Sequence, residues 1–219
     1  MPQDAALIRA TLKTPKAAAI AGIAFSVLFG FAFWLLRRAV PADPLEPGTW
    51  LANDVKSAEL ALDVIPFAGI AFLWFIGVLR DRLGELEDRF FATVFLGSGL
   101  LFLAMFFASA AMIGAAILVH SGGMLSSAAF QVVRALAFIV MNTYALKMAG
   151  VFMLSTSMVI VYTGIAPRWI AITGCILAVL LIVASSYVSW SVVVFPIWVF
   201  LLSAHIMLVN LRRLDAGVA

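Results

Sequence analysis

The sequence predicts an all-α fold, a polytopic transmembrane helix bundle of about six helices with both termini inside (N-in/C-in). Three observations carry that prediction. The 219 residues are 65% hydrophobic and only 11% charged, with a mean hydropathy of +1.14. A soluble domain averages about 45–50% apolar and about 25% charged residues, and it could not cover this much apolar surface in water. The apolar residues also fall into runs near the length of about 20 residues that a spanning helix needs. Finally, the basic residues flank those runs unevenly, as membrane topology requires.

Six spans follow, at about 17–36, 60–79, 91–119, 143–165, 169–187 and 192–211, within one integral membrane domain. The first run, Ala17 to Leu36, is 20 residues long, beyond the roughly 7–15 of a signal-peptide core, so it reads as a true span. Pro41, Pro44, Pro47 and Gly48 break the chain after it, and Thr49 offers a cap to an amphipathic stretch leading into the second span. The charged segment Arg80–Arg89 separates spans two and three, Ser121-Gly122-Gly123 ends span three, and Ala166-Pro167-Arg168 turns the chain before span five.

The fourth apolar stretch resists a simple assignment. Phe130 to Ile165 covers 36 residues, about 54 Å as one helix, against a hydrocarbon core of about 30 Å. Its first part is expected either to project outward or to lie at the interface as a separate amphipathic helix. With the N-terminus inside, nine basic residues lie on inner segments (Arg9, Lys13, Lys16, Arg80, Arg82, Arg89, Arg168, Arg212, Arg213) and five on outer ones (Arg37, Arg38, Lys56, Arg134, Lys147). The excess sets the orientation and predicts a multi-pass membrane protein with both termini inside. A net charge of +3 is too small to argue for nucleic acid.

The chemistry-bearing residues are few. Glu59 and Asp63 share a helix face at i,i+4 spacing, and Arg134, Asn142 and Lys147 come from the fourth stretch. Together they predict an outer polar pocket for a small polar ligand or lipid head group. A bare ion pair of Asp63 with Lys147 is the structural alternative, since intramembrane charges are costly and tend to pair. Trp34, Trp50, Trp169, Tyr187 and Trp190 fall where interfacial aromatic belts sit, while Trp74 and Trp198 lie deeper, where a groove would be lined. Pro66 and Pro196 are expected to kink spans two and six. Small residues such as Gly22, Ser26, Gly99, Gly114 and Ser155–Ser157 permit close helix approach. His120 and His205 belong to opposite ends of their spans, so no haem, other cofactor or metal is expected. No catalytic signature is present: there is no Gly-x-Ser-x-Gly, no His-Glu-x-x-His and no P-loop.

The loop GVLRDRLG, from Gly77 to Gly84, resembles the first half of the Gly-x-x-x-Asp-x-x-Gly loop of major facilitator transporters. That resemblance implies gating or helix-packing roles for Asp81 and Gly84, flanked by Arg80 and Arg82. Glu85, Glu87 and Asp88 depart from it, because that family places basic residues after the second glycine. RDRLGELEDRFFATVFLGSGLLF, MLSTSMVIVYTGIAPRWIA and VFPIWVFLLSAHIML resemble stretches of an uncharacterised family of bacterial polytopic inner-membrane proteins. This implies a bacterial inner membrane and no chemistry.

The function expected is therefore non-enzymatic: a small-ligand- or lipid-binding, channel-like or accessory membrane subunit. Its expected partners are membrane lipids and, as an option the sequence leaves open, a second copy or another membrane protein. The alternatives are a half-size transporter working as a dimer, and an intramembrane enzyme acting on a lipid with His120 as base.

Overall fold

The computed structural model describes residues 2–39, 51–83, 89–121, 127–164, 166–186 and 190–216, with side chains described for 17–39, 55–80, 93–119, 128–162, 166–186 and 190–212. Seven α-helices account for nearly all of it: α1 (Pro2–Ala39), α2 (Leu51–Leu83), α3 (Arg89–Ser121), α4 (Ser127–Ile139), α5 (Leu146–Thr163), α6 (Arg168–Ala184) and α7 (Val194–Ala216). Five helical paths are long and apolar enough to cross a membrane, while α6, with 17 residues, is shorter. At 1.5 Å per residue α6 is about 25 Å long, close to the thickness of the hydrocarbon core. The chain is an integral, multi-pass membrane protein.

Neighbouring helices run antiparallel. Gly22 of α1 meets Ser203 of α7, whereas Arg37, much further along α1, meets Trp190 just before α7. Likewise Gly69 of α2 faces Phe107 of α3 while Gly99 faces Ile76, and Gly150 of α5 faces Ile182 of α6 while Gly174 faces Ser157. Taking α4 and α5 as one path, the described residues form six helical paths, five of them long and apolar enough to cross a membrane, and α1 starts at the end of the bundle where α7 finishes.

The stretch that the sequence left open is continuous. A π-helical turn, Val140–Ala145, joins α4 to α5 without a break, and the Leu146 amide bonds the Met141 carbonyl five residues back. The first part therefore neither projects freely nor separates as an interfacial helix. Ser127–Ile139 packs on α3, and its amphipathicity is inverted for a membrane: Val132, Leu136 and Ile139 are exposed while Arg134 and Ala137 are buried. The whole α4–α5 path is the most enclosed of the spans, with 61% of its apolar window buried against 28% for α3.

Local signals end and start the helices. Gly164 takes φ +66° and its amide bonds the Ile160 carbonyl at 3.0 Å, closing α5 with a left-handed cap that costs a β-carbon-free residue little. Pro167 then precedes α6 in extended conformation. Pro196 lies in the first turn of α7, where a proline is tolerated because its missing amide has no helical partner to lose. Pro66 sits within α2, which continues through it.

The centre is a cluster of phenylalanines. Phe195 of α7 packs on Phe25 of α1 (5.8 Å between centroids), Phe72 of α2 (5.5 Å), Phe102 of α3 (4.8 Å) and Phe152 of α5 (6.0 Å). All five rings are fully buried. Lipid is as apolar as these side chains, so helix association rests on contact quality rather than on expulsion of water. Tilted and edge-on aromatic pairs at these separations add about 0.5–1.5 kcal/mol each. Trp198, expected to line a groove, is instead buried at 1% exposure, and its Nε1 donates to the Ile170 carbonyl at 3.4 Å. Trp74 faces outward, with Phe67 and Ile70 on the same surface.

Candidate functional site

A cavity of about 170 Å³ opens in the half of the bundle nearer Arg37. Its floor is the phenylalanine cluster, through Phe29 and Phe106, whose rings stack at 5.0 Å. Above it a second, smaller core of Ala39, Ala58, Ala116, Ile117 and Phe130 ties together the ends of α1 to α4, with Leu62 and Ile113 packed against it. Leu62 and Ile113 also line the cavity. The hollow thus lies between two packed layers.

The lining follows from helical spacing. Phe29, Phe33 and Arg37 recur every fourth residue and present one face of α1. Phe106, Ser109, Ala110 and Ile113 do the same on α3, and Leu62 and Ile65 on α2. Phe138, Met141 and Asn142 come from the end of α4 and the π turn. Such turns are rare and occur often at functional sites. Here the wider turn brings Asn142, 6% exposed, to the cavity wall.

Three polar groups interrupt the apolar wall. Ser109 Oγ donates to the Ala137 carbonyl at 2.9 Å, and Asn142 Nδ2 donates to the Phe138 carbonyl at 3.0 Å. Both bonds reach carbonyls just before the π turn, where a second acceptor lone pair is free to take them. They leave Asn142 with a second N–H and its amide oxygen unbonded among the described residues. Arg37 is the only charged residue in the lining among the described residues. Its guanidinium sits over the rings of Phe33 (5.8 Å) and Trp190 (5.0 Å), a cation–π arrangement that positions the group without neutralising it. Its half-burial follows from an apolar stem lying along the cavity wall.

The five residues expected to form one outer pocket are not gathered around this cavity; only Asn142 lines it. Glu59 and Asp63 do share a face of α2, but that face is exposed. No ion pair joins Asp63 to Lys147. Lys147 is half-buried on the other side of α5, on the face of Thr143 and Gly150, which touch Ser186 and Ile182 of α6. Arg134 is buried at 3% exposure, takes part in an interaction, and is not itself part of the cavity lining. The geometric reason is rotation: residues close in sequence on a helix point to different neighbours, and the π turn resets the phase between Arg134 and Lys147.

In the other predicted segment, Arg80 is exposed near the end of α2; Asp81 and Arg82 lie in the last turn, with side chains outside the described set, and Gly84 lies outside the described residues. The side chain of His120 is also outside that set, and His205 is half-buried on α7. Among the described residues, no three of His, Cys, Asp and Glu come close enough to hold a metal ion.

Sequence reading missed Arg37, Ser109 and the aromatic wall. Arg37 was counted only as a topological charge. The signal that could have found it is the Phe29–Phe33–Arg37 repeat, which puts a cation on the same face as two rings.

No protein-family model, no curated protein and no solved structure matches this chain. The functional reading rests on the geometry of the chain itself.

Proposed function

We propose that this protein is a non-enzymatic binding protein of the cytoplasmic membrane, oriented with both termini inside, that holds a small, largely apolar ligand in the Arg37–Asn142 cavity. The observation that carries the reading is a hollow of about 170 Å³ with aromatic and aliphatic walls and three placed polar groups. Ligand sites combine a mostly apolar lining with a few fixed polar atoms in this way. A void of this size without an occupant forfeits the dispersion contacts of its walls.

Two features favour binding over the alternatives. Among the described residues no carboxylate lines the cavity, whereas ion-coupled carriers place one near the path of the ion. Among the described residues, the one hydroxyl in the lining, that of Ser109, donates to a backbone carbonyl, and no histidine in that lining stands beside it to act as base.

The test is a native mass spectrum of the protein released gently from its own membrane. One added mass per chain is expected, and it is lost in Ala110→Phe, which fills the cavity from α3. An added mass that persists in a folded Ala110→Phe protein, or the lack of any added mass in the natural protein, overturns the reading.

A further inference from the structure

We infer that the ligand is an anionic lipid, whose head group meets Arg37 and Asn142 and whose acyl chain lies in a groove between α2 and α3. The inference rests on the binding reading above and names the ligand class for that same cavity.

The head-group end is set by charge and donors. Arg37 is the one charge in the lining among the described residues, and it is a cation. A guanidinium stacked on rings by its face keeps its edge N–H groups for a partner, and the planar fork suits a phosphate or carboxylate. Asn142, buried and with one N–H unspent, supplies a further donor from the opposite wall.

The tail end is set by a second hollow. A groove of about 400 Å³ lies between α2 and α3, lined by Leu62, Ile65, Pro66, Phe107, Ala110, Ala111 and Gly114. It contains no polar side chain. Leu62, Ile65 and Ala110 belong to both linings, so cavity and groove adjoin along these three side chains. Beyond Phe107, α3 turns only the small residues Ala110, Ala111 and Gly114 to the groove, opposite Leu62, Ile65 and the ring of Pro66. Pro66 and Phe107 lie further from the Arg37 end than Leu62 and Gly114, since α2 runs away from that end and α3 toward it. The groove therefore leads from the cation toward the middle of the membrane. Phe67, beside it, is exposed on the outer surface, where the bilayer lies. A charged group near the membrane surface joined to an apolar path running inward fits a lipid entering sideways, with its chain never leaving hydrocarbon.

The experiment uses the full chain in a neutral detergent, titrated with hexadecyl phosphate, hexadecanol and inorganic phosphate, and read by native mass spectrometry. One hexadecyl phosphate per chain is expected, bound at least about tenfold more tightly than hexadecanol, the gain of one charge-assisted contact. Arg37→Gln lowers hexadecyl phosphate to the hexadecanol level, and Ala111→Trp weakens both long-chain probes. Equal binding of hexadecanol and hexadecyl phosphate, both lost in Ala110→Phe, overturns the anionic-lipid inference and leaves the cavity reading standing. Inorganic phosphate binding as tightly as hexadecyl phosphate overturns the lipid as source. No binding of any probe overturns both readings. The comparison of probes on the natural chain needs no variant, so it decides even where Arg37→Gln does not fold.

Discussion

Toward the Arg37 end of the bundle, polar side chains border empty space; toward the opposite end, they are sealed into contact. Ser109 and Asn142 each find a carbonyl and face a cavity. Ser157 and Ser203 are fully buried with hydroxyls that have no partner among the described residues. Glycines make that sealing possible. A β-carbon at Gly174 would run into Ser157 Oγ and into Trp198 Nε1, and one at Gly22 would run into Ser203 Oγ and the Phe75 ring. In one half small residues bring backbones together; in the other, Ala110 and Gly114 leave a gap that nothing fills. The same residue types produce a packed seam or a pocket depending on what stands opposite, and the phenylalanine layer divides the two.

That contrast can be broken at its centre. Phe195→Ala removes the ring that touches α1, α2, α3 and α5, and should destabilise the protein by about 3–5 kcal/mol, read as a lowered melting temperature in detergent. The next effect belongs to the sealed half. Gly174→Val forces a side chain between Ser157 and Trp198 and should cost about 1–3 kcal/mol, while Gly30→Ala, where the neighbouring space is open, should cost nothing measurable. A Gly174→Val protein as stable as the natural one would mean that this seam is not tightly packed. Smaller still, and opposite in sign, is Ser157→Ala. Deleting a buried hydroxyl without a partner should stabilise by about 1 kcal/mol, part of the desolvation penalty it carries. A clear loss of stability would reveal a partner for that hydroxyl. The smallest effect is expected at Lys147→Met: lying on the α6 side of α5, it should leave ligand binding at the cavity unchanged in the native mass spectrum. A lost ligand mass there would join Lys147 to the site and remove the distinction between the two sides of the α4–α5 path.

What the sequence alone determined is the solvent. Composition, the length of the apolar runs and their flanking charges are sums along the chain, and they called for a multi-pass helical membrane protein before any contact was known. The turn before α6 was legible for the same reason: Pro167 acts on its own turn. The tertiary structure alone decided the site. Membrane helices are apolar on every face, so periodicity does not say which face is inward, and Glu59 and Asp63 turn out while Arg37 turns in. The π turn has no residue signature, yet it made one path of what the sequence left as two options and set Asn142 at the cavity wall. Whether small residues close a seam or leave a groove depends on the partner helix: Ser203 and Trp198 stand tight against Gly22 and Gly174, whereas Leu62, Ile65 and Pro66 border the groove at Ala110 and Gly114. That pairing joins residues far apart in the chain, and hydrophobicity, being without direction, does not encode it locally.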